Sequence, residues 1–107
     1  MISIRLRSET IIAGIRRNRE FARPFYAGAV EMLLEGDASG ALSRLRDLVN
    51  AQITFKELSR QTGLGEKFLH RMFHRNGSPT ARNLGAIVRS IAEDLKIKPR
   101  VEVAANN

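Results

Sequence analysis

Residues 53–75 of the 107-residue chain read ITFKELSRQTGLGEKFLHRMFHR, and their spacing decides the fold. Thr54 and Glu57 form a T-x-x-E capping box, in which the Thr hydroxyl takes the amide three residues on and the Glu reaches back to the cap amide. Ile53 and Leu58 stand at the two positions of a hydrophobic staple, which fixes the angle at which the chain meets the helix. This pattern predicts a short helix starting at Phe55. Thr62-Gly63 stops it, because Gly63 can take the left-handed conformation without penalty. A second helical pattern begins at Gly65 or Glu66 and runs through Phe68, Leu69, Met72 and Phe73. Two short helices joined by a three- or four-residue turn containing glycine describe a helix-turn-helix. The inner spacing is the sharper test. Leu58 must pack inward, and Ser59 is small enough for the helices to cross closely. Gly63 makes the turn, while Leu64, Leu69 and Met72 supply its apolar contacts. A plain antiparallel helical hairpin shares the caps and the stripe but requires neither the small residue nor this turn.

Working outward, Ile2, Ile4 and Leu6 alternate as in a short strand. Ser8 can cap a helix from Glu9 to Asn18 that carries Ile11, Ile12 and Ile15 on one face. Pro24 suits the first turn of another helix, with Phe25, Ala29, Met32 and Leu33 recurring up to Leu34 and Gly36 ending it. Asp37 or Ser39 can then cap a helix over 39–51. Its stripe is Leu42, Leu45, Leu48 and Val49, with Arg44, Arg46 and Asp47 on the opposite side. Thr80 caps a last helix lined by Leu84, Ile87, Val88, Ile91 and Leu95. Lys98-Pro99 breaks the pattern, Val101–Val103 could form a second short strand, and the terminal Ala-Ala-Asn-Asn is expected to fray. The expected fold class is all-α: a small helical bundle with a helix-turn-helix and short terminal β-strands. Three parts are expected: an N-terminal extension over 1–38 offering a dimer or partner surface, the helix-turn-helix domain over 39–98, and a tail over 99–107.

Composition narrows the chemistry. The chain carries 18 Lys+Arg against 11 Asp+Glu, a formal charge of +7, which favours an anionic partner, nucleic acid first. Residues 1–53 hold eight bases and six acids, whereas 54–107 hold ten and five. Between Arg60 and Arg82 stand Arg60, Lys67, Arg71, Arg75 and Arg82 against the single acid Glu66. With no cysteine, disulfides, thiolate zinc sites and cysteine nucleophiles are excluded. No apolar run approaches the length of a membrane span and no signal-peptide pattern opens the sequence, so a cytoplasmic setting without a membrane partner is expected. His70 and His74 have the i, i+4 spacing of metal ligands, but Arg-Met-Phe lies between them and no third ligand is near in sequence. No glycine-rich phosphate loop, serine elbow or carboxylate pair in an apolar setting occurs. The reading is therefore a non-enzyme without cofactor or metal, with Phe68, Met72 and Phe73 taken as core.

The stretch from Glu35 to Ile91 resembles the phage-repressor-type helix-turn-helix domains, and more narrowly the addiction-module antidote (antitoxin) branch. Glu35-Gly36-Asp37, Leu58-Ser59, Thr62-Gly63-Leu64, Phe68-Leu69 and Asn76-Gly77-Ser78-Pro79 carry the resemblance, which extends over about residues 35–97. Gln52 stands where that family usually has glycine, and Gly65 replaces its usual Ser or Thr cap. Such domains lay the second helix of the motif in the major groove. Counting outward from Leu64, Leu69 and Met72 then leaves Glu66, Lys67, His70, Arg71 and His74 exposed. Glu66, Lys67, His70 and Arg71 are the candidate base contacts: Lys67 and Arg71 can donate to guanine O6 and N7, and Glu66 can accept from a cytosine amine. Thr54, Gly65, Arg75, Asn76, Ser78 and Arg82 are the candidate phosphate contacts. The resemblance implies a repressor that binds double-stranded DNA, with a small toxin partner and autoregulation of its operon. A domain of this size in one groove covers few base pairs, so a homodimer on a palindromic operator is expected. A stand-alone phage-type regulator and a helical interaction module that does not bind DNA are the alternatives.

Overall fold

The computed structural model describes residues 4–74 and 77–106. Six α-helices run in order: α1 (Ile4–Arg17), α2 (Ala22–Leu34), α3 (Ala38–Leu48), α4 (Phe55–Thr62), α5 (Glu66–Phe73) and α6 (Ala81–Leu95). A 3₁₀ turn at Arg19–Phe21 precedes α2, and a π-turn at Val49–Ile53 joins α3 to α4. No strand occurs among the described residues, and none of the helices there is long and apolar enough to cross a membrane.

The all-α expectation holds, and the terminal strands do not. Ile4 and Leu6 lie within α1, while Ile2 falls outside the described residues. Helix α1 therefore starts upstream of Ser8, which lies within it and does not cap it. Extending an existing helix adds a hydrogen bond for each residue fixed, whereas a three-residue alternation has no sheet to join. Val101–Val103 is irregular and exposed for the same reason: with the N-terminal segment helical, no neighbouring strand can satisfy its backbone.

Helix α2 begins two residues before Pro24, which thus sits in the first turn, where a missing N–H breaks no helical bond. It ends in a double reverse bond, Asp37 N–H to the Met32 carbonyl at 2.8 Å and Gly36 N–H to the Leu33 carbonyl at 3.1 Å. Asp37, not Ser39, caps α3, its Oδ1 accepting from the Gly40 amide at 2.9 Å. Helix α3 stops at Leu48, and the three residues expected to continue it belong to the π-turn. That turn closes with Thr54 N–H donating to the Val49 carbonyl at 2.7 Å and leaves Thr54 at φ +76.

One hydrophobic cluster includes Ile15 of α1, Ala22, Tyr26 and Ala29 of α2, and apolar residues of every later helix. Leu45, Leu48, Val49, Leu58, Leu69, Ile87 and Ile91 are its largest fully buried members; burying each such side chain stabilises the fold by about 1.5–3 kcal/mol. The five apolar positions of α6 all belong to or pack against this cluster. The Tyr26 hydroxyl donates to the Val88 carbonyl at 3.1 Å, tying α2 to α6. Asp47, expected on the solvent side of α3, is 3% exposed because α1 covers that flank. Arg44 of the same flank lies over the Phe25 ring at 4.7 Å.

Candidate nucleic-acid interface

Helices α4 and α5 are joined by three residues, Gly63, Leu64 and Gly65, between Thr62 and Glu66. Leu58, Leu69 and Met72 are buried in the shared core, and Leu64 packs against it half-buried. Gly63 takes φ +76, and its amide returns to the Ser59 carbonyl at 2.9 Å. Thr62 reinforces the stop, donating its hydroxyl to the Leu58 carbonyl at 2.8 Å and accepting from the Leu64 amide at 3.2 Å. The second glycine that the geometry demands is Gly77. A side chain there would meet the Met72 carbonyl oxygen at 2.1 Å, so Gly77 stands hard against the last turn of α5.

At about 100° per residue, the buried trio Leu69, Met72 and Phe73 defines the inner side of α5, and the opposite direction falls between Lys67 and Arg71. Both are exposed, with Glu66 and His70 on one flank. Gly65 opens the helix without a side-chain cap, and nothing lies within 4 Å of where its Cβ would stand. The outer face of α5 therefore combines two cations, Lys67 in the first turn and Arg71 in the last, with bare amides at the helix start, an arrangement able to hold anionic oxygens and donate to base edges.

Other positions depart from the sequence reading. His70 is exposed, yet its ring stacks on Phe55 of α4 at 4.0 Å between centroids, tilted by 23°. One face of the imidazole is thus engaged within the protein. Phe68 is not core: it is 38% exposed, on the flank of α5 away from Glu66, with the Arg71 guanidinium 6.0 Å from its ring centroid. The same angular count would have found it, since Leu69, Met72 and Phe73 already close the inner arc. The capping box is half-formed. Thr54 Oγ1 accepts from the Glu57 amide at 3.2 Å, but the Thr54 amide is already held by Val49. Glu57 instead turns forward to Arg60, whose Nε lies 3.0 Å from both carboxylate oxygens, and accepts from the Gln61 side-chain amide at 3.3 Å. Those two partners, Arg60 foremost, hold the Glu57 carboxyl below the usual carboxylate range. Arg60 therefore adds little uncompensated charge to the basic stretch.

Ser78 is exposed in the loop, and Arg82 is exposed in the first turn of α6, whose cap Thr80 accepts from the Asn83 amide at 3.1 Å. Arg75 and Asn76 lie outside the described residues. The π-turn ahead of α4 is braced from the N-terminal half, where Arg16 donates to the Asn50 carbonyl at 2.8 Å and Arg19 to the Gln52 side chain at 3.0 Å. No protein-family model, no curated protein and no solved structure matches this chain.

Proposed function

We propose that this chain is a sequence-specific double-stranded-DNA-binding repressor of the cytoplasm that reads the major groove with α5. The observation that carries this is the outward pairing of Lys67 and Arg71, one turn apart on a helix that follows a tight glycine turn and opens on an uncapped glycine. The surplus of bases after residue 53 supports it by favouring an anionic partner. An eight-residue helix is only about 12 Å long and spans a few base pairs, so useful selectivity calls for a homodimer on a palindromic operator. The finer reading is an antitoxin that autoregulates its operon with a small toxin partner. It rests on the resemblance carried by Gly36-Asp37 and Asn76-Gly77-Ser78-Pro79.

The test is a gel-shift series over salt concentration on DNA upstream of the chain's own coding sequence, with footprinting, alongside affinity purification from the native host. Selective binding that weakens linearly in log salt is the expected result. Unselective or absent binding would sink the repressor reading in favour of an interaction module. Recovery of a small basic protein marks the antitoxin, and selective binding without one marks a stand-alone regulator.

A further inference from the structure

We infer that Phe68 is a specificity-determining residue that reads the 5-methyl group of a thymine beside the base contacted by Arg71. This rests on the proposed DNA-binding role of α5. A large aromatic side chain is exposed on a helix whose inner arc is already filled by Leu69, Met72 and Phe73. It stands one residue from Lys67 and three from Arg71, on the flank that the two cations leave apolar. The Arg71 guanidinium over the ring ties the two side chains into one surface, with hydrogen-bond donors beside a hydrocarbon face. The approach to that face is clear at the helix start, because three residues earlier Gly65 has no side chain and open space where one would be.

In the major groove thymine alone presents a methyl group, and apolar side chains recognise it by contact. Phe68 and Arg71 together therefore suit a thymine next to a guanine. Lys67 and Arg71 by themselves would select guanine only.

Preferred sites are first selected from a random DNA pool with the wild-type protein. Each thymine of the selected site is then replaced in turn by deoxyuridine, which removes the methyl and keeps every hydrogen-bonding group. Wild type is expected to lose about three- to tenfold in affinity at one thymine per half-site. F68A should bind the thymine and uracil versions alike, while F68L should retain part of the preference. F68S, with a residue well tolerated in a first helical turn, carries the same comparison if F68A does not fold. Selective binding that ignores the methyl at every position, or an equal loss in wild type and F68A, overturns the inference and leaves the repressor reading standing. No selective binding by wild type overturns both. If sedimentation shows that F68A loses self-association while keeping the thymine preference, Phe68 is a contact between protein copies and the inference fails.

Discussion

Lys67, Arg71 and Arg82 are all exposed cations, but their places on the helices give them different expected roles. On the DNA-binding reading, K67A or R71A should cost about 1–3 kcal/mol on the selected site and relax its base preference. R82A should weaken binding to all DNA alike and reduce the salt slope by about one, and gel shifts over salt separate the two behaviours. Thr54 is a different kind of residue. A β-branched side chain at φ +76 and ψ 152 is in a region favourable only to glycine, and such strain costs about 1–3 kcal/mol. It is held there by the π-turn bond to Val49 and by its own cap to Glu57. T54A keeps the strain and loses the cap, so it should destabilise by about 1 kcal/mol. T54G removes the strain at the cost of a few tenths in capping and should be at least as stable as wild type, as urea denaturation would show. Thr54 is also a candidate phosphate contact, so a T54G protein of full stability and weakened DNA binding is the expected combination.

The three-residue link between α4 and α5 shows how one residue type serves two purposes. Gly63 and Gly65 both have open space where a side chain would go, so sterics do not distinguish them. Backbone conformation does. Gly63 is left-handed, and G63A should cost about 1–2 kcal/mol with no clash to relieve. Gly65 sits at φ −63 and ψ 149, which any residue adopts, at a cap position without a side-chain acceptor. G65S should therefore stabilise by a few tenths of a kcal/mol, and thermal melts of the two variants should move in opposite directions. The positions of both glycines, the stop at Thr62 and the inward Leu58, Leu69 and Met72 were legible from spacing alone. The destination of the Glu57 side chain was not. Its competing partner Arg60 is also local, but the Thr54 amide had been claimed by a π-turn that no residue pattern announces. Nor was the stack of His70 on Phe55, whose residues are brought together only when α4 and α5 cross.

For the whole molecule, the N-terminal helices and the helix-turn-helix share one core, and Asp47 sits where α1 closes over α3. Its Oδ1 has no hydrogen-bond partner among the described residues. Burial holds this carboxyl above the usual carboxylate range, against the lowering influence of the Ser8 hydroxyl, Arg46 and Arg44. An acid whose folded-state pKa is raised subtracts stability as pH climbs above its unfolded value of about 3.9, and the loss is complete above the folded value. D47N should therefore be more stable than wild type at pH 7, with the difference closing as pH falls toward 4. Chemical denaturation across that window measures it. A difference that widened on acidification would mean the charged form is the favoured one.

The sequence by itself determined the helical class, the order of the helices, the turn at Gly63 and the outward direction of Lys67 and Arg71. Each of these follows from periodicity or from a backbone preference acting within a few residues. Tertiary structure decided the rest. Asp47 is buried because a distant helix covers it, and Val101–Val103 is irregular because no strand pairs with it among the described residues. Contacts between residues far apart in the chain set these outcomes, and local spacing carries no record of them.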